Sequence, residues 1–186
     1  MEQYDLVKRL ITAMSILHEA HDHHGQHTAD LARRLAEVCG LPAYQAGLLE
    51  TGAHLHDIGK LFLDKTLLNA QRKLEPHEFD QVKTHTTLGW AAVDQAGYEP
   101  VICSIIRSHH ERYDGNGYPD GLVAEAIPFE ARIVRITDTY AALISPRSYR
   151  TAYSPAFAKS YIQAGKGTEF DASLVDLFFA QVVTDG

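Results

Sequence analysis

His56-Asp57-Ile58-Gly59-Lys60 sets an imidazole, a carboxylate and an ammonium within one turn of an expected helix. Downstream, His109-His110 places two imidazoles side by side, and Asp114-Gly115-Asn116-Gly117-Tyr118-Pro119 follows as a glycine-bent loop. Neutral imidazoles together with a carboxylate are the donors that hold borderline transition metals. The two glycines let a loop backbone approach a bound molecule closely. Taken singly, these residues have plainer uses. His56, after Ala53 and Leu55, suits a hydrogen-bonded core histidine, and Asp138, inside Arg132–Leu143, suits a buried hydrogen-bonding carboxylate. Their combination points to a metal site beside a substrate loop.

Outward from this cluster the sequence reads as a succession of helices. Leu6, Leu10, Ile11, Met14 and Leu17 recur at helical spacing over Tyr4–His21, and that apolar side suits either the core or a second subunit in a homodimer. A helix over Gln26–Val38 stops at Gly40, and Pro42 opens the helix that runs to the HD pair. Pro76, Pro128 and Pro155 open later helices, the last behind a Ser154 cap; Asp171 caps the final one, whose apolar side is Leu174, Leu177 and Phe178. No stretch alternates long enough to demand a strand, and no repeat or linker interrupts the chain. The expectation is an all-α, single-domain helical bundle over residues 1–186 with the metal site in its core.

A chain of 186 residues can bury a core without disulfide or metal staples, so stability alone does not account for eleven histidines. A net charge of -7 argues against a general nucleic-acid binder, DNA included, and leaves any anionic substrate to be attracted by metal ions or a few placed basic groups. Cys39 and Cys103 form neither a CxxC pair nor a disulfide framework and are expected in the core, as in a reducing cytoplasm. No apolar run in Met1–Leu17 approaches the roughly 20 residues that span a bilayer, so neither export nor a membrane span is expected. His18, His21, His24 and His77 sit in polar surroundings and read as solvated. His54, two before His56, faces away from it on a helix and reads either as structural or as a support behind a ligand.

The segments HDIGK, HHERYDGNGYP and ITDTYAAL, together with His27 and His85, resemble the HD-GYP domain, the branch of the HD metal-dependent phosphohydrolases associated with hydrolysis of bacterial cyclic dinucleotides. The resemblance covers about residues 20–175. It implies His27, His56, Asp57 and Asp138 as the basic ligand pattern, with His85, His109 and His110 added for a second ion and Asp57 bridging the two. It further implies Lys60 as a catalytic contact to phosphate and Gly117-Tyr118-Pro119 as the motif lining the substrate groove. Ser145-Pro146-Arg147-Ser148-Tyr149-Arg150 is similar to the family's RPYR segment with Ser148 in place of proline, which makes Arg147 and Arg150 phosphate-binding candidates. By donor chemistry alone Fe, Mn, Zn and Ni fit about equally; the resemblance favours two divalent ions of iron or manganese.

The activity so implied is opening of cyclic di-GMP to linear pGpG, and onward to GMP, by metal-activated hydroxide at a binuclear site, with the mixed cyclic GMP-AMP as a rival substrate. A sensor or receiver domain is the implied regulatory partner. Two other readings stay open. One is a signalling module that keeps the fold and binds nucleotide or a protein partner without turnover. The other is a mononucleotide phosphohydrolase, which gives no reason for the GYP segment. A calcium reading, with Asp114, Asn116 and Glu125 at the first, third and twelfth places of an EF-hand loop, fails at Tyr118 and Pro119. The chain also departs from the family pattern, carrying His23 and Ala141 where acidic residues are usual. Both positions bear on a third ion, for which His23 offers a nitrogen without charge.

Overall fold

The computed structural model describes Arg9, Ala13 and residues 22–146 and 151–183, with no side chain described for residues 22–24. The expected helix over Tyr4–His21 lies outside the described residues apart from Arg9 and Ala13, and so do Arg147 and Arg150. The helices are α1 (Asp22–Val38), α2 (Ala43–Leu55), α3 (Lys65–Leu68), α4 (Pro76–Lys83), α5 (His85–Gln95), α6 (Pro100–Ser108), α7 (Phe129–Ile144), α8 (Pro155–Ala164) and α9 (Ala172–Leu177). A 3-10 turn, Ile58–Phe62, follows α2, another spans Ala124–Ala126, and a π-turn, Phe178–Val182, extends α9. Extended pairing among the described residues is limited to two isolated bridges, Asp114 with Val123 and Lys166 with Phe170. The all-helical expectation holds.

The helix punctuation follows the sequence closely. Pro76 and Pro155 take the first turns of α4 and α8, and Ser154 caps α8 by accepting from the Phe157 amide. Asp171 caps α9 by accepting from the Ser173 and Leu174 amides. Gly40 ends the first helix at a positive φ of 80°. That helix begins four residues earlier than expected, running straight through Gly25.

Two apolar cores divide the interior. In the larger, α1 lies across α2 and α7, burying Ala32, Leu35 and Ala36 against Leu49, Ala53, Ile133 and Ile136, and the α9 segment closes it with Leu174, Val175 and Phe178. The smaller is Leu55, Ile58, Val93, Tyr98, Ile102, Cys103 and Ile106, where α2, the first 3-10 turn, α5 and α6 meet. Cys103 is buried there, while Cys39 is half-buried beside the larger core. The chain passes from the first core to the second at the end of α2. His56 and Asp57 sit on that passage, which is why two polar residues lie so deep.

One correction concerns this passage. The HD pair is not inside a helix: α2 ends at Leu55, His56 is its C-cap, and Asp57, at φ -95° and ψ 7°, leads into the 3-10 turn. The turn can lie against α5 because residue 59 lacks a side chain. A Cβ on Gly59 would stand 1.8 Å from the His85 carbonyl oxygen and 2.7 Å from the Gly89 nitrogen. This close approach brings Asp57 to His85, 28 positions later in the chain.

Candidate metal centre

The three most deeply placed histidines share a local device. The last four carbonyls of a helix have no partner within it. His56, His85 and His109 each stand at or just past a helix end and turn Nδ1 back onto such a carbonyl, three residues earlier. The distances are 2.6 Å to Ala53 O, 2.7 Å to Val82 O and 2.9 Å to Ile106 O. A carbonyl only accepts, so each Nδ1 carries the proton, and in the neutral ring Nε2 keeps its lone pair. The Nε2 atoms of His85 and His109 then meet, and those of His85 and His56 each approach Asp57. His85 Nε2 is 3.3 Å from His109 Nε2 and 3.4 Å from Asp57 Oδ1; His56 Nε2 is 3.4 Å from Asp57 Oδ2 and 3.3 Å from Asp138 Oδ1.

Lone pairs facing one another at these distances repel unless a cation or proton lies between them. Asp57 Oδ1 is moreover buried with no hydrogen-bond partner among the described residues, a costly state for a carboxylate oxygen. Asp57, His85, His109 and His110 each offer a ligand atom within 4.8 Å of the others, and the donor set of imidazoles and one carboxylate suits borderline divalent transition metals. These residues fit a metal centre.

Electrostatics agree. Burial, reinforced by neighbouring imidazoles, holds His109 and His110 well below the ordinary histidine range, and burial lowers His85 as well, so these rings are neutral as ligands must be. Burial opposes charge on His56 too, but Asp57 and Asp138 outweigh it and raise this ring to about 10. Burial likewise opposes ionisation of Asp57, yet Lys60 and His56 outweigh it and keep the carboxyl well below its usual range. The two carboxylates therefore call for positive charge at this point. A divalent ion supplies more of it than a proton does.

The other expected residues fall around this centre. Lys60 Nζ lies 2.5 Å from Asp57 Oδ2, so the 3-10 turn brings the ammonium to the carboxylate as a helix would have done. Tyr118 stacks on His110 with ring centroids 4.8 Å apart, so Gly117-Tyr118-Pro119 does border the cluster. Gly117 is required by packing, since a Cβ there would meet the Arg112 nitrogen at 2.3 Å. His27 is half-buried on α1, the helix that crosses α2 and α7, and makes an interaction of its own. His54 lies outside the cluster, part-buried, and His77 is exposed. Asp114 is occupied by a bidentate pair with Arg112 at 3.1 and 2.8 Å, in keeping with the failed calcium reading.

Sequence reading missed several residues that shape the site. Glu111, almost wholly buried, accepts from the amides of Asp120, Gly121 and Leu122 and so ties down the far side of the Tyr118 loop. Its place directly after His109-His110 was its only signal. Arg107 clamps Asp120 with two hydrogen bonds of 2.8 and 2.7 Å. Lys83 Nζ sits 5.9 Å from the Tyr118 ring centroid, placing a cation beside that ring. Arg135 reaches His110 from α7, and no sequence pattern marks it.

Known proteins resemble this chain in sequence and in fold. A family model described as HD domain matches residues 8–174, and the chain belongs to that family. It is 40% identical over 158 residues to the cyclic di-GMP phosphodiesterase response regulator RpfG of Xanthomonas campestris pv. campestris, covering 80% of this chain and 42% of that protein. It is 35% identical over 189 residues to a cyclic di-GMP phosphodiesterase of Vibrio cholerae, covering 91% of this chain and 38% of that one. The chain thus spans about two fifths of the length of these relatives. Among solved structures, an HDG"Y"P protein from Bdellovibrio bacteriovorus superposes with a TM-score of 0.69 at 23% identity, over 84% of this chain and 50% of that one, which shows the shared fold. No helix among the described residues is long and apolar enough to cross a membrane.

Proposed function

We propose that this chain is a metal-dependent phosphodiesterase acting on cyclic di-GMP or a closely related cyclic dinucleotide. The observation that carries the reading is the packing of His85 Nε2 against both His109 Nε2 and the orphaned Asp57 Oδ1, with His56 Nε2 against Asp57 Oδ2 and Asp138, beside a loop that presents Tyr118. Relatives whose names specify this activity align over 80% and 91% of this chain.

In this proposal His27, His56, Asp57 and Asp138 hold one divalent ion, and His85, His109 and His110 share Asp57 to hold a second. Such ions supply Lewis acidity toward the phosphate and lower the pKa of water. The protein's own groups do the rest. Asp57 would hold both ions and is steadied by Lys60, whose Nζ is near enough to share its charge with a phosphate oxygen placed at the centre. Tyr118 offers a ring face for a base or sugar, and Lys83, beside that ring, could counter a phosphate bound there. Arg147 and Arg150 are proposed to hold the second phosphate. Ala141, fully buried in apolar surroundings, offers no ligand, which favours two ions over three, with His23 at most a weak addition.

The test is anaerobic reconstitution with Fe(II) or Mn(II), metal analysis, and chromatography of products from cyclic di-GMP and the mixed cyclic GMP-AMP. Two ions per chain and a linear dinucleotide product are expected. Nucleotide binding without linear product under either metal would favour the signalling-module reading.

A further inference from the structure

His110 breaks the pattern of its neighbours. Where the other three rings turn Nδ1 onto a carbonyl, His110 turns Nδ1 toward Arg135 Nη1, 3.1 Å away. A guanidinium has only donors, so here Nδ1 accepts and, in the neutral ring, Nε2 carries the proton. His110 is thus the opposite tautomer from the neutral His85 and His109. Arg135 stands one turn before Asp138 on α7, half-buried, with its other Nη2 paired to Glu169 Oε1 and its guanidinium 5.9 Å from the Phe170 ring centroid. Tyr118 stacks on a face of the imidazole. The ring is therefore gripped from two directions in a state that does not ligate.

We infer that Arg135 is a positioning residue that withholds His110 from the second metal ion. The inference rests on the metal-centre reading above. Whichever nitrogen ligates, the Arg135 contact must open first: Nδ1 because Arg135 occupies it, Nε2 because its proton must move to Nδ1. The guanidinium charge opposes a cation at the same place, so both effects act in one direction. The second ion is bound more weakly than its donor set alone would allow, and filling it requires Arg135 to swing away. The structure provides for that movement. Arg135 Nε has no hydrogen-bond partner among the described residues, and Glu169 keeps Arg112 Nη1 at 3.3 Å and the Tyr161 hydroxyl at 3.5 Å when Arg135 leaves.

Two measurements on the full chain test this. The first is nitrogen-15 NMR of the imidazoles in metal-stripped wild-type protein, where His110 should carry its proton on Nε2 while His85 and His109 carry theirs on Nδ1. A proton on Nδ1 of His110 overturns the inference, whatever any variant does. The second is calorimetric titration with Mn(II). Arg135→Met should bind the second ion about tenfold more tightly, the size expected for loss of one charge-assisted hydrogen bond, with the first ion little changed. Unchanged or weaker second-ion binding in a folded Arg135→Met protein overturns it as well. His110→Ala separates this failure from that of the underlying reading. If it still binds two Mn(II) ions as the wild type does, His110 is no ligand, and the metal assignment falls together with the inference.

Discussion

Gly59→Ala tests how the site is assembled, because the change adds one methyl group and alters no ligand. The new Cβ would lie 1.8 Å from the His85 carbonyl oxygen, about 1.6 Å short of ordinary contact, and 2.7 Å from the Gly89 nitrogen. Both atoms are backbone, so neither can rotate away, and the 3-10 turn must part from α5. If only half of that displacement reaches the side chains, Asp57 and His85, now 3.4 Å apart, separate by nearly 1 Å more. Metal ligand distances tolerate about 0.2 Å. Overpacking a rigid interior costs about 1–3 kcal/mol, and a backbone collision belongs at the upper end. For a domain of this size that lowers the melting temperature by about 5–10 °C. Metal affinity should fall by roughly 10–100-fold, as it does when groups that orient ligands are disturbed, and turnover by on the order of 100-fold. Thermal denaturation and metal analysis of the purified protein measure both. Gly47→Ala is the control: it lies within α2 with nothing within 4 Å of the added carbon, and it should stabilise the helix by up to about 1 kcal/mol. A Gly59→Ala protein that melts within about 1 °C of wild type and carries its full complement of metal would refute the argument that the turn and α5 set the site.

Ligand and phosphate contact should fail differently. Asp57→Ala is expected to lose metal and activity together, whereas Lys60→Met keeps its metal and loses turnover, as read by metal analysis beside product chromatography; retention of full metal by Asp57→Ala would remove it as the bridge. Glu111→Ala strips three backbone amides of their acceptor and should cost about 2–4 kcal/mol in urea denaturation while freeing the Tyr118 loop to proteolysis; an unchanged urea midpoint would show that solvent replaces the carboxylate at no cost. Asp171 gives a pH-dependent contribution. Burial opposes its ionisation, but hydrogen bonds from Ser173 and Arg132 outweigh this and depress its folded pKa below the ordinary aspartate value. Stability from this group is then fully present above about pH 4 and lost as pH falls through its lower folded value. Asp171→Asn should therefore trail wild type by about 2 kcal/mol at pH 7 and by much less near pH 2, and a difference that stays constant with pH would contradict the pairing.

The residue types of the site, the helical class and the turn signals were all determined locally. A proline in a first helical turn, a serine or aspartate before it and a glycine past the end act on neighbours a few bonds away, so α4, α8 and α9 began where their sequences said. His27, His56, Asp57, His85, His109, His110 and Asp138 were legible as candidate donors through the resemblance of their segments to the HD-GYP pattern. What the tertiary structure decided is direction. Whether an imidazole offers a lone pair or a proton depends on what meets its other nitrogen, and that depends on the backbone conformation at the helix end. Placing the HD pair inside a continuous helix therefore hid the device by which Ala53 O orients His56. Asp57 meets His85 because a glycine lets two backbones touch, a fact that appears only when turn and helix are packed. Arg135 sits 25 residues from His110, with no periodicity joining them, and packing of α7 beside the end of α6 alone brings its guanidinium to the ring. The kinds of atoms in the site are a property of the chain, while their protons and lone pairs are a property of the fold.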